Sequence, residues 1–276
     1  MKLKYVMLRM IRHFLPLYFT HLLLRNKLII KPGYETSAPE EMVNRYQNTL
    51  EGTGRSIHGQ RILDFGYGGS FALACVLLKA GASHVTLVDK FARPENQTNL
   101  KLLSQYEQYL TVHHGQVVPR PEAIEVIDAD INDLITDKKL QPFDMVLSSS
   151  VYEHLDDVAG ITRSLAALTK PSGCQIHFID LRDHYFKYPF EMLTFSDEVW
   201  KKRLNPGSNL NRYRLSNYQG VFEQYFNEAR FIVLERDALH FEQTRPRIAP
   251  KFLSGDAEVD SITLLQVYAA SPKPLS

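Results

Sequence analysis

Residues 62–71, ILDFGYGGSF, hold the densest cluster of chemically informative side chains in the chain. An apolar run reaches Asp64, and glycines follow at 66, 68 and 69 ahead of an apolar helical stretch. Glycines at a strand-to-helix turn let the backbone approach a ligand closely, which marks a cofactor loop. A phosphate loop needs a lysine and then Ser or Thr after its last glycine, because the ammonium carries the phosphate charge. Ser70 and Phe71 stand there instead. A dinucleotide loop needs a small sixth residue for close helix–strand packing. Gly66-Tyr67-Gly68 begins that pattern and Phe71 breaks it. Asp64, two residues before the first glycine, would oppose a pyrophosphate. It would attract a cofactor carrying amino and sulfonium cations in a partly desolvated cleft. An aspartate that merely caps a turn is the alternative.

The elements that must present these residues alternate. RILDF (61–65) reads as a first strand, FALACVLLKAG (71–81) as a helix closed by Gly81, and HVTLVD (84–89) as a second strand. AIEVIDAD (123–130) and FDMVLSSS (143–150) read as the third and fourth strands. VYEHLDDVAGITRSLAALTK (151–170) reads as one helix stopped by Pro171-Ser172-Gly173, and CQIHFID (174–180) as the fifth strand. Such alternation predicts a parallel sheet with helices on both faces. A long polar and aromatic segment, 181–229, then interrupts the rhythm before strands at 229–237 and 261–270. It leaves the sheet on the carboxyl side, where open α/β folds bind ligands.

On these residues the chain resembles the class I S-adenosylmethionine-dependent methyltransferases. Their first motif is an acid, then glycines two and four residues later, and usually a third glycine two further on. Asp64, Gly66 and Gly68 match; Ser70 takes the third glycine's place, with Gly69 displaced by one. Ser70 is small, and its hydroxyl could cap the helix or bond the cofactor. The resemblance implies that Asp89 binds both ribose hydroxyls and that Asp130 faces the adenine amino group. Ile131 would offer a backbone N–H and an apolar wall, and Ser148 and Ser149 would touch the methionine part. PFDMVLSSSVYEHLDDV and LTKPSG also look like family segments, and the likeness runs from about Gly33 to the final strand. It implies a Rossmann-like, doubly wound α/β sheet of seven mostly parallel strands. The last strand would be antiparallel, the insertion would lie between strands five and six, and residues 33–50 would form lid helices. S-adenosyl-L-methionine is the cofactor it implies.

Methyl transfer is a displacement on a sulfonium carbon, so the protein must align a nucleophile and exclude water. An alcohol nucleophile needs a base, and histidine suits that near neutrality. His184, just beyond the fifth strand, is the first candidate, with Asp180 or Asp183 to orient its ring; a histidine hydrogen-bonded in a loop is the alternative. His154 is the second candidate, and on a helix its neighbour Glu153 could not share its face. His113-His114 lacks ligands at zinc spacing and reads as a solvated loop, so no metal site is expected. Residues 181–229 mix Tyr185, Phe186, Trp200 and other aromatics with Arg182, Arg212 and Arg214, which suits recognition of a ring-bearing or anionic small molecule. Arg245, Arg247 and Lys251 could add positive potential at the same rim.

At 276 residues the chain suits one domain, 32–276, preceded by a basic amphipathic segment, 1–31. A formal net charge of +1 gives no global ground for nucleic-acid binding. Cys75 and Cys174 read as core residues, which fits a reducing, cytoplasmic setting. Residues 1–31 carry seven basic side chains, with no acid before Glu35. Leu3, Val6, Met7, Met10, Ile11 and Phe14 recur at helical spacing up to Pro16, and 17–24 is a second apolar run too short to span a bilayer. This face either packs on the protein or lies on an anionic membrane through residues 1–24. The expected activity is methylation, at oxygen, of a small molecule or a glycan or lipid precursor. A nicotinamide-dependent oxidoreductase and a non-catalytic protein keeping the cofactor fold are the alternatives.

Overall fold

A computed structural model describes residues 3–14, 37–136, 140–184, 187–205 and 209–274. Pro16, the run 17–24, Tyr185 and Phe186 lie outside the described residues.

The centre is a seven-stranded sheet in the order β5-β2-β1-β6-β7-β9-β8. Its strands are β1 (Arg61–Phe65), β2 (His84–Val88), β5 (Ile124–Ile127), β6 (Phe143–Ser149), β7 (Thr169–Asp180), β8 (Phe226–Arg236) and β9 (Ile262–Pro272). The pairings β1–β2, β1–β6, β2–β5 and β6–β7 are parallel, while β9 runs antiparallel to both β7 and β8. This is the mostly parallel sheet with an antiparallel last strand expected from the sequence.

Side chains alternate along each strand, and both faces are covered. Ile62, Val85, Leu87, Met145 and Leu147 pack under α2 (Pro39–Leu50) and α3 (Ala72–Lys79). Leu63, Val88, Val146, Leu265 and Val267 pack on the other face. There they meet α5 (Ile131–Thr136), α6 (Val158–Ala167) and α7 (Leu215–Tyr225). The central strands are apolar on both sides because both sides are core.

Two local expectations need correction. The helix expected over 151–170 is shorter: Tyr152–His154 is a single 3₁₀ turn, and α6 begins after Asp157, whose side chain accepts from the Gly160 N–H at 2.8 Å. That aspartate is an N-cap, so the helix cannot run through it. Pro171-Ser172-Gly173 does not separate helix from strand, because α6 ends at Ala167 and β7 has already begun. The register steps from Phe143↔Thr169 to Met145↔Cys174, so residues 170–173 form an irregularity within β7. The polar stretch after β2 holds α4 (Asn96–Leu100) and an unforeseen hairpin, β3 (Leu110–His113) with β4 (Gln116–Pro119). Its turn uses His114 and Gly115 at positive φ, leaving His113 and His114 exposed as expected.

Beyond β7 the chain builds a third cluster from Phe190, Met192, Leu193, Trp200, Leu204 and Leu210, closed by Phe241 from α8 (Ala238–Thr244). Residues 190–210 of the expected segment 181–229 thus form a small apolar unit of their own, while α7 and the first residues of β8 belong to the sheet. Helix α1 (Leu3–Phe14) docks on this unit, and Val6, from the face its spacing suggested, packs against the cluster. Tyr5 and Arg9 are buried and both hydrogen-bond to the buried Asp183, while Leu3, Met7 and Met10 are 74, 52 and 36 % exposed. A buried carboxylate demands polar partners, and that demand selects the docked face.

Candidate active site

The cofactor loop follows β1. Gly66, Gly68 and Gly69 have φ of 86°, 67° and 89°, a region that side chains rarely tolerate. A Cβ at Gly66 would collide with the Val151 side chain, and one at Gly69 would lie 2.5 Å from the Arg93 carbonyl oxygen. At Gly68 a Cβ would meet nothing within 4 Å, so this is where the loop faces open space. Gly69 is thus a necessary part of the turn rather than a displaced copy. Its carbonyl accepts from Glu95 N–H at 2.8 Å and Asn99 Nδ2 at 3.0 Å. The Ser70 hydroxyl accepts from Ala72 N–H at 3.3 Å, which places it at the start of α3. Phe71 does not hold the helix away: it is fully buried and stacks on Tyr67 with centroids 6.4 Å apart.

Asp64 lies at the carboxyl end of β1, buried, with no hydrogen-bond partner for Oδ1. Burial, and then the charge of Asp89, push its pKa up to about 7. Such a site favours a cation beside it and disfavours a second anion. Asp89, just after β2, accepts from the N–H groups of Phe91 and Ala92 at 2.8 Å and of Gly68 at 3.2 Å, tying the second strand to the glycine turn. Phe91, 87 % exposed beside it, is an aromatic face that motif spacing did not single out. Asp130 accepts from Lys90 Nζ and Asn132 N–H, both at 2.9 Å. Lys90 is the first cause of its lowered pKa. The Ile131 side chain is buried in the core, so a backbone contact is what it can offer the cleft. Ser148 is also turned inward: its hydroxyl meets His177 Nδ1 at 2.8 Å, and His177 Nε2 meets Gln175 Oε1 at 2.9 Å. Burial pushes the His177 pKa down to about 3, so this is a neutral internal relay and not a hydroxyl aimed at a ligand.

The two candidate histidines meet. Their ring centroids are 4.8 Å apart, edge to face, although 30 positions separate them in sequence. Asn209 and Asn211 lock the turn that carries His154. The His154 ring bonds through Nδ1 to the Asn209 carbonyl at 2.6 Å, Asn209 Nδ2 donates to the His154 carbonyl at 3.1 Å, and Asn211 N–H donates to the Glu153 carbonyl at 2.9 Å. Glu153 also converges here. One ligand-type atom from each of Glu153, His154 and His184 lies within 4.8 Å of the other two. The helix-face objection to Glu153 beside His154 lapses, because the segment is a 3₁₀ turn. Glu153 is buried, and neither carboxylate oxygen has a hydrogen-bond partner. Burial, reinforced by Asp180, raises its pKa well above the usual range, against the pull of the Glu153 and Asp180 backbone N–H groups and of Arg182.

The proposed orienters and anion binders have other partners. Asp180 is clasped by the Arg182 N–H, Nε and Nη2 at 2.8–2.9 Å, and Asp183 by Arg9 and Tyr5. Arg212 and Arg214 are buried and donate to backbone carbonyls, Arg212 to Met192 and Phe195 and Arg214 to Leu181, Asp260 and Ile262. Arg245, Arg247 and Lys251 pair with Glu242, Glu191 and Asp197. The basic side chains singled out in the sequence are thus engaged by the fold's own carbonyls and carboxylates.

A glycine turn at the end of β1 with carboxylates at the ends of β1, β2 and β5 defines a nucleoside-cofactor α/β protein. A methyltransferase-domain family model matches residues 16–234, and the chain belongs to this family, the class I S-adenosylmethionine-dependent methyltransferases. A curated relative, ubiquinone biosynthesis O-methyltransferase from Stutzerimonas stutzeri (strain A1501), is 28 % identical over 138 residues, about half the length of each protein. A candidate sarcosine dimethylglycine methyltransferase from Galdieria sulphuraria has a similar fold at 12 % identity and a TM-score of 0.53, over 84 % of this chain and 86 % of that one. Phosphoethanolamine N-methyltransferase 2 from Haemonchus contortus, solved with S-adenosyl-L-methionine, matches at 16 % identity and 0.51, over 92 % and 60 %.

Proposed function

We propose that the chain methylates an oxygen atom of a small molecule or of a glycan or lipid precursor. The meeting of His154 and His184 beyond the carboxyl ends of β6 and β7 carries this reading, since an alcohol is the acceptor that needs a base. The similarity to an O-methyltransferase supports the choice of atom.

The residues present fit S-adenosyl-L-methionine. Asp64 supplies a buried carboxylate with an orphaned oxygen for a cationic amino group, and Gly68 leaves open space above the turn. Asp89 would take the ribose hydroxyls, and Phe91 would offer its ring to the base. Asp130 and the Ile131 backbone would hold the adenine edge, with Gly66, Ser70 and Ser148 shaping the cleft through backbone and turn geometry. When bound, the cofactor supplies an electrophilic methyl group. The chain's own residues hold it, shield it from water and take the acceptor's proton, the last role falling to His184 with His154 beside it. Residues 181–229 would recognise the acceptor through their aromatic and apolar surface. A cytoplasmic location, no nucleic-acid partner and peripheral membrane contact through residues 1–24 belong to the same proposal. No helix among the described residues is long and apolar enough to cross a membrane.

The test is incubation with labelled cofactor and hydroxylated acceptors, with the methylated atom read by mass spectrometry. O-methylated product is expected, and His184→Ala should lower kcat while S-adenosylhomocysteine affinity stays constant. Methylation at nitrogen or carbon alone would overturn the choice of atom, and unaltered turnover would remove His184 as base.

A further inference from the structure

We propose that Glu153, His154 and His184 form a binding site for one divalent first-row transition-metal ion. The three side chains come from two segments, the turn after β6 and the loop after β7, and one ligand atom from each lies within 4.8 Å of the other two. Nitrogen and oxygen ligands at ~2.1 Å from a tetrahedral zinc ion stand roughly 3.4 Å apart, so closure asks for side-chain movements of about 1 Å. Ordinary rotamer adjustment supplies that much.

Two further features point the same way. The first is Glu153, only 3 % exposed, with neither carboxylate oxygen hydrogen-bonded. Burying a charged carboxylate without a partner is costly, and a bound cation would supply one. Arg182, whose charge acts on Glu153, is already committed to Asp180. The second is the His154 ring, whose Nδ1 sits 2.6 Å from the Asn209 carbonyl. A carbonyl can only accept, so Nδ1 carries the proton and Nε2 the lone pair. Histidine ligands are held in this way, with one ring nitrogen donating to a carbonyl and the other turned to the metal. Asn209 and Asn211 hold the Glu153–His154 turn rigid, which favours a preformed site.

The donor set selects the ion. Two imidazoles and one carboxylate suit zinc, iron, cobalt or manganese, whereas magnesium and calcium prefer oxygen donors throughout. Three protein ligands leave coordination positions open, as catalytic metal sites do. The consequence for catalysis rests on the O-methylation proposal. An acceptor oxygen at an open position would lose its proton to bulk water more readily, and the ion would take over the activation assigned above to His184. One lone pair cannot serve both as base and as ligand, so the two roles for His184 exclude each other.

The experiment is a Co²⁺ titration of the full chain after treatment with a chelator, followed by visible d–d absorption. Wild type should develop a saturable, stoichiometric band that Zn²⁺ displaces and excess Mg²⁺ does not. Glu153→Gln and His184→Asn should abolish it with S-adenosylhomocysteine affinity and circular dichroism unchanged. A His113→Asn, His114→Asn double variant, which removes the exposed histidine pair, should retain it. Absence of the band in wild type, its survival in both site variants, or its loss in the His113/His114 control would overturn the site. Co²⁺ binding without oxygen methylation would leave the metal site standing and remove the functional proposal. O-methylation that survives full chelation in a protein showing no band would do the reverse.

Discussion

Asp64 is an acid held where its charge is costly, and a cofactor with a cationic end reverses that cost. Burial first and Asp89 second raise its pKa to about 7. A carboxyl raised in this way binds its proton more tightly in the folded chain than in the unfolded one, where the value is about 3.9. Its favourable contribution to stability is therefore complete below about 4 and fades as pH rises through about 7. Cofactor binding runs the other way, because the amino cation favours the carboxylate. Below about 7 the ligand must expel a proton; above it the site is already ionised. Affinity for S-adenosylmethionine is therefore expected to rise with pH up to about 7 and then level off, by at most about tenfold per pH unit. Calorimetry in buffers of different ionisation enthalpy would count the released proton, and Asp64→Asn should give a flat profile. A flat wild-type profile would show that Asp64 does not face the cationic end.

At the scale of elements, β6 and β7 show where sequence patterns stop being informative. Acids at strand ends were legible because strand periodicity and chain polarity place every strand's carboxyl end on one edge of a parallel sheet. The parallel sheet covered on both faces followed from alternation with helices, whereas the strand order came only with the structure. Side-chain direction at the last strand residue was not legible: Ser148 points into the sheet interior toward His177, and only tertiary packing decides that. Nor was the fate of the arginines, since a buried Arg214 whose pKa falls to about 10 looks in sequence like any surface arginine. The Glu153–His154–His184 cluster was hidden because an expected helix turned out to be a 3₁₀ turn held by asparagines 55 or more positions away. The Ser148–His177–Gln175 relay makes a contrasting prediction. Ser148→Ala leaves the buried His177 Nδ1 without its donor, so the loss should be about 1–3 kcal/mol of unfolding free energy. Chemical denaturation would measure it, and S-adenosylhomocysteine affinity should be unaffected. A fall in cofactor affinity without a fall in stability would instead return the hydroxyl to the cleft.

For the whole molecule, α1 determines how the catalytic unit meets its surroundings. The sequence posed two alternatives for this helix, packing on the protein or lying on a membrane; among the described residues the structure packs Tyr5 and Arg9 on the protein and exposes Leu3, Met7 and Met10. Tyr5 and Arg9 close over Asp183, the residue before His184. Removing Arg9 would leave Asp183 buried and uncompensated, a loss of about 3–5 kcal/mol. Leu3, Met7 and Met10 point outward with Lys4, on a segment whose charges are all positive up to Glu35. Basic side chains near an anionic surface contribute about 1 kcal/mol each, and a short apolar face adds insertion into the headgroup region. The full chain is thus expected to pellet with anionic vesicles and less with neutral ones. A Leu3→Ser, Met7→Ser double variant should lose most of that binding while keeping its thermal stability, because neither residue is buried. Arg9→Ala should do the opposite to stability. If the wild type fails to pellet with anionic vesicles, the outward face of α1 does not meet a membrane, and the helix serves only to close over Asp183.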